Sequence, residues 1–494
     1  MRSSHPLKLR HQPQTEFTQT LENESPFVTM TPLHRVVVVA IFALFLSWMA
    51  IQEFNHPSIA NTRLVFLGLA VNSILLLVPV IFYQPSYGWF HPLVFGTFVA
   101  AINHLRRVDV YIHGLQWHAA LPGWSSEQLT QLLAHEVGLR ALGIAACYLG
   151  FFLGATTGIP KLKFGQPHRI GFKVLLAVLF SGAIFAVYMQ AKGGIVEHIL
   201  SWGRGRAVSL AGDYYWQFTI QFGLIACLSW LALDRKATRQ PFFWGCSVAS
   251  LAFIFLASGS RSSIIYFMVM GLLTWFLRER KVNLPGIAII AVIGILVLGI
   301  LGNFRDSTFA GEINWGALFG ESAPNTEDSA LTTGAEEVAS RGSFFAGAFP
   351  ILALVPHQVN FLHGSSYLAV LTLPIPRLFW ADKPEMIAGQ VGETFFNMNV
   401  GMPPGAIGEA YWNFGVIGVA IAFVVFGLFL KWLAEVFRKN AGHSTAIVLY
   451  ILTLFLLQEP STMSFINWAF MLVPTILFLY AIGAIRFGQA SGKL

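Results

Sequence analysis

The chain has 494 residues, of which 55% are hydrophobic and only 11% charged, with a mean hydropathy of +0.62. That composition excludes the two to four soluble domains that length alone suggests; apolar runs of about 20 residues, the length a helix needs to cross a bilayer, recur along the chain. The net charge of +7 does not point to nucleic acid, because Lys and Arg punctuate the apolar runs instead of clustering on one face. The expected fold class is all-α: a polytopic membrane protein embedded in a lipid bilayer.

Residues 1–34 are polar and Pro-containing and read as a disordered tail. No cleavable leader is expected, since the first apolar run ends in Gln52-Glu53 and not in small residues. Twelve spans are predicted, at about 36–52, 64–83, 89–103, 138–158, 171–191, 214–234, 241–257, 263–277, 285–303, 415–437, 444–462 and 466–486. The third contains Pro92, and the eighth is shortened by the polar run Ser258-Gly259-Ser260-Arg261-Ser262. Cys147, Cys227 and Cys246 all fall inside spans and read as small apolar residues.

Twelve spans place both termini on one side. With that side cytoplasmic, 19 of the 31 basic residues lie inside and 12 outside, in line with positive-inside placement. The outer set contains ten Arg but only Lys192 and Lys383. Lys serves topology as well as Arg does, so the skew suggests a second cause: the guanidinium fork grips phosphate bidentately. Anchoring of helix ends at headgroups is the other reading.

Among the outer connectors, 104–137 offers a helix start at Ser125 with Gln128 three residues on, the pattern of a capping box. Connector 192–213 holds Arg204 and Arg206 between glycines, and 258–262 holds Arg261; small neighbours let backbone N–H groups approach an anion as well. His135-Glu136 reads as structural. Glu459, near the outer end of the eleventh span, is placed to face the same outer site.

Residues 304–414 form the longest segment that is neither span nor short connector. They carry Arg305, Arg341, His363, Arg377, Asp382, Lys383 and Glu409. Two proline-broken apolar stretches, 344–356 and 367–380, are too short to cross and read as interfacial or re-entrant. No D-x-D, H-E-x-x-H or Cys-x-x-Cys pattern is present and no P-loop, so neither a metal nor a nucleotide cofactor is expected. Glu409, beside aromatic residues at a span boundary, is suited to act as a general base. Alternatively it caps a helix N-terminus or pairs with an Arg. Trp315, Tyr367, Trp380, Tyr411 and Trp412 can stack on sugar faces or sit at the membrane interface.

Three short motifs carry a resemblance. Pro-x-Pro-Arg-x-x-Trp-x-x-Lys-Pro (374–384), Gly-Glu-Ala-Tyr-Trp-Asn-Phe-Gly (408–415) and Ser-Gly-Ser-Arg-Ser (258–262) resemble the Wzy-type O-antigen and oligosaccharide repeat-unit polymerases. The resemblance implies a C-type glycosyltransferase of the bacterial inner membrane that works without metal at the periplasmic face. Such enzymes draw donor and acceptor from undecaprenyl-diphosphate-linked oligosaccharide, and family analogy adds a chain-length regulator as partner. The implied layout is a cytoplasmic tail (1–34), spans 1–9 (35–303), a partly helical periplasmic catalytic loop (304–414), and spans 10–12 with a cytoplasmic C-terminus (415–494). The family motifs carry over onto Arg261, Arg377, Lys383, Glu409 and Tyr411; Arg341 is added from its Ser340-Arg341-Gly342 setting. In this reading Arg261, Arg341 and Arg377 hold the diphosphate, and Glu409 handles the acceptor hydroxyl, with Asp382 and His363 behind it. Lys383, Tyr411, Arg305, Arg204 and Arg206 complete the substrate-binding set. An O-antigen ligase and a non-enzymatic transporter of lipid-linked sugar are the alternatives.

Overall fold

A computed structural model describes residues 25–55, 62–84, 86–113, 124–155, 162–202, 213–309, 313, 315–316, 347–372, 375, 379–380, 382–397 and 401–486. Among these there is no β-strand beyond two isolated bridges, Thr29 with Gly88 and Phe164 with Ile485. The helices are α1 Pro32–Asn55, α2 Thr62–Ile81, α3 Pro92–His113, α4 Ser126–Leu153, α5 Ile170–Ala191, α6 Ile195–Ser201, α7 Tyr214–Ile220, α8 Phe222–Leu233, α9 Pro241–Ser258, α10 Ser262–Glu279 and α11 Leu284–Phe309. Beyond these lie α12 Ala348–Leu354, α13 Ser365–Ala369, α14 Ile387–Phe396, α15 Gly405–Asn440, α16 Ser444–Leu456 and α17 Thr462–Ala481.

Helix occupies part of each of the twelve predicted stretches, and among the described residues nine helices, with α7 and α8 counted as one, are long and apolar enough to cross a membrane. The apolar parts of α3 and α16 are shorter than that, at Pro92–Ala101 and Ser444–Leu456. The chain is a multi-pass membrane protein, with large apolar side chains such as Leu44, Leu64, Phe152 and Ile417 facing outward. In water such a surface would be an aggregation patch; against lipid tails it is the favourable one.

Two helix groups share the bundle. In the first, α2 packs against α1, α3 and α4, and α4 lies along α15. The α4–α15 approach is backbone to backbone: a Cβ on Gly150 would overlap the Val424 carbonyl, and one on Gly427 would overlap the Cys147 carbonyl. Without a hydrophobic drive between helices in lipid, such close contact supplies the packing energy. Gly427→Ala is therefore expected to separate α4 from α15 and lower the midpoint of a thermal scan in detergent by several degrees. The second group is built around α8, whose residues Gly223 to Ala232 are all buried among α5, α9, α10, α16 and α17. A helix apolar all round belongs in an interior.

Basic residues cap helix C-termini at one end of the bundle. Arg35 donates to Val80 O and Ile81 O of α2 (3.2 and 2.9 Å), Arg278 to Leu231 O of α8 (2.7 Å), and Lys173 to Ala481 O of α17 (2.6 Å). Each cation meets orphan carbonyls and the negative end of a helix dipole. The capping box is present at the other end of the bundle: Gln128 N donates to Ser125 Oγ (3.2 Å) and Ser125 N to Gln128 Oε1 (2.9 Å). It starts α4 at residue 126, twelve residues ahead of the predicted span.

Candidate functional site

The run Gly408–Gly415 forms a clasp. Helix α15 breaks at Phe414 and Gly415, where Gly415 has φ +63°, a conformation open to glycine. The break frees backbone carbonyls that the preceding turn satisfies: Leu362 N donates to Trp412 O (3.0 Å), and His363 N to Asn413 O (3.3 Å). Gly364 N donates to Asn413 Oδ1 (2.8 Å), and Asn413 Nδ2 donates to Ser366 Oγ and Glu409 O (both 2.8 Å). Glu409 is 1% exposed. Its Oε1 accepts from Ser366 Oγ (2.9 Å), and its Oε2 accepts from Thr462 N (2.9 Å) and Thr462 Oγ1 (3.1 Å). A carboxylate here gathers three donors and closes the N-terminus of α17. The helix-capping contact that the sequence allows for Glu409 is present, made to a helix that begins 53 residues further on.

A cavity of about 460 Å³ lies beside the clasp, at the seam between the two helix groups. Its apolar length is lined by Leu93 of α3, Ile144 of α4, Phe426 and Leu430 of α15 and Phe455 of α16. Its polar end gathers Asn103 and His104 of α3, Glu136 and Arg140 of α4, Gln458 and Glu459 of the α16–α17 turn, and Asn467 of α17. Glu136 is 1% exposed and pairs with Arg140 one turn on, Oε1 to Nη2 at 3.2 Å. From Glu136 to Cys147 the lining follows α4 for eleven residues, about 16 Å at 1.5 Å per residue. The volume falls within the range of small-molecule sites, ~300–1,000 Å³. Polar at one end and apolar along its length, it suits an amphipathic molecule.

The other residues singled out from the sequence are scattered. Arg261 is 2% exposed at the α9–α10 turn and donates to Leu298 O of α11 (3.4 Å). Arg305 follows Phe304, which is buried with Trp202 and Phe255. Neither Arg261 nor Arg305 lines the seam cavity. Lys383 Nζ donates to Ile375 O (2.9 Å), next to the exposed Asp382. His363 is exposed at the clasp turn, with φ +49°. Tyr411 stands edge-on to His135 (5.6 Å), which lines a second cavity of about 550 Å³ with Trp124 and Gln131. Trp412 is buried and donates to Asn360 O (3.1 Å), so it is core and not a sugar platform. Arg204, Arg206, Arg341 and Arg377 lie outside the described residues. Among the described residues no group of three or more His, Cys, Asp and Glu is placed to hold a metal ion.

The clasp and the C-terminal wall of the cavity come from one stretch of chain, and that stretch matches a known family model. Residues 355–489 match the family model for the O-antigen polysaccharide polymerase Wzy. The resemblance carried by the motifs at 374–384 and 408–415 is borne out over that segment. No curated protein and no solved structure matches the chain. The Wzy segment contains the clasp turn, Glu409, Glu459 and the start of α17. Glu136, Arg140, Asn103 and His104 lie before it. The cavity is thus completed by residues that the Wzy match does not reach, on α3 and α4.

Sequence reasoning passes over Glu136–Arg140 because the predicted span begins at 138 and splits the pair between a connector and a helix. The i, i+4 spacing of an acid and a base is the signal that could find it.

Proposed function

We propose that this chain is a membrane glycosyltransferase that polymerises undecaprenyl-diphosphate-linked oligosaccharide repeat units at the outer face of the bacterial inner membrane. The observation that carries this reading is the seam cavity: it offers an apolar length for a prenyl chain and a polar end that includes Arg140 for its diphosphate, and one wall belongs to the Wzy-matching segment. In the proposed arrangement the diphosphate lies at the polar end near Arg140, and Arg377 and Arg341 belong to the same phosphate-binding set. Arginines there stabilise the charge that grows on the leaving diphosphate. Both chain ends are placed in the cytoplasm, and turnover needs no divalent cation.

Purified protein in detergent, given lipid-linked repeat units and excess EDTA, should yield a ladder of products on a gel. Transfer to lipid A core in place of a ladder would identify a ligase.

A transporter of lipid-linked sugar is the second reading, favoured by one feature: α15 is broken at Phe414–Gly415 beside a cavity between two helix groups, as discontinuous helices are in secondary transporters. Units supplied on the outer face alone separate the two, since chain growth there needs no transport.

A further inference from the structure

We propose that Glu459, and not Glu409, is the catalytic carboxylate that accepts the proton of the acceptor hydroxyl; the inference rests on the polymerase reading above. A general base needs a lone pair open to substrate and within hydrogen-bond reach of the proton it takes. Glu409 does not meet that requirement. It is 1% exposed, and its two oxygens are occupied by Ser366 and Thr462. It is also absent from the lining of the seam cavity. Glu459 has the opposite character. It lies in the α16–α17 turn, lines the polar end of the cavity, and is only partly buried. Among the described residues its carboxylate makes no hydrogen bond or ion pair; only its backbone carbonyl is engaged, by Ser461 N (2.9 Å).

The surroundings fit the task. Pro460 follows Glu459, and Thr462 two residues further on is held through N–H and hydroxyl by Glu409. The clasp thus fixes the turn that carries Glu459 without entering the cavity. Across the cavity stand Glu136 and Arg140. Arg140 is paired with Glu136, so Glu459 is the carboxylate at this end left with an open acceptor.

In the transfer step the acceptor hydroxyl oxygen attacks the anomeric carbon of the donor sugar and forms the new glycosidic C–O bond. The bond from that carbon to the diphosphate oxygen breaks, and the electron pair leaves with the diphosphate. The hydroxyl proton passes to the Glu459 carboxylate.

The test is single-turnover chain growth from lipid-linked repeat units, with donor binding measured separately in nanodiscs. Glu459→Gln should slow transfer by about 10²–10⁴-fold, the contribution of a general base, while donor affinity stays within about threefold of wild type. Glu459→Ala should be as slow and regain at least about tenfold when formate is added, because a small carboxylate can occupy the vacated place. A Glu459→Gln variant within about threefold of wild type, beside an active wild type, would overturn the assignment and leave the polymerase reading intact. Slow transfer with weakened donor binding and no formate rescue would also overturn it, since Glu459 would then serve only structure. A wild type that makes no polymer would remove the polymerase reading itself.

Discussion

Arg140→Ala is expected to unfold or inactivate the protein, with the largest stability loss of any single change at the cavity. Arg140 neutralises Glu136, which is 1% exposed in the bundle interior. Removing one partner of a buried ion pair costs about 3–5 kcal/mol, because the other charge stays buried and loses its closest counter-charge. Glu136→Gln combined with Arg140→Met takes away both charges and should recover most of that loss. The double variant separates two roles. If Arg140 serves only Glu136, the folded double variant makes polymer; if it also holds the diphosphate, the double variant is stable and inactive. The polymerase reading expects the second outcome, measured as a thermal midpoint near wild type with no ladder on the gel.

The second large effect concerns Glu409, where two substitutions should diverge. Glu409→Leu strands Ser366 Oγ, Thr462 N and Thr462 Oγ1 without their acceptor. A buried donor left unsatisfied costs about 1–3 kcal/mol, so the loss of all three should open the clasp and leave little folded protein. Glu409→Gln keeps the shape, one acceptor oxygen for Thr462, and an amide able to donate to Ser366. It is expected to fold with a modest drop in midpoint and to keep polymerising within about tenfold of wild type, well short of the 10²–10⁴-fold that loss of a general base would cost. A folded Glu409→Gln sample with no ladder would return the proton-accepting role to Glu409.

These two sites differ in how far the sequence discloses them. The membrane helices are readable because length and apolarity suffice to define them, and the Ser125–Gln128 cap is readable because its chemistry is local. The motif Gly408–Gly415 is recognisable, but its use is not. Its Glu and Asn bond to Ser366, 43 and 47 residues back in the chain, and Glu409 also to Thr462, 53 residues on. No local pattern announces such pairings. Gly415 in the motif is explained by the broken backbone it permits, and Trp412 by its bond to Asn360 O. Glu136 and Arg140 are hidden by the opposite fault. Periodicity places the apolar core of α4 well, but it is silent on the polar first turns that lead into it. The arginine-rich set that the sequence reading assigns to the outer connectors points to phosphate. Within the described residues that expectation centres on Arg140 at the cavity, while Arg261 sits at α11.

Filling the cavity tests its role in polymerisation most directly. Gly96 on α3 lines it, and a Cβ built there meets nothing within 4 Å, so Gly96→Phe should place a ring in the open space without displacing backbone. Chain growth from lipid-linked repeat units would be measured for wild type and Gly96→Phe, both shown to be folded by thermal scan. The expected result is a ladder from wild type and none from Gly96→Phe at an unchanged thermal midpoint. A full ladder from the filled variant would contradict the role given to the cavity, because polymerisation would then proceed without it.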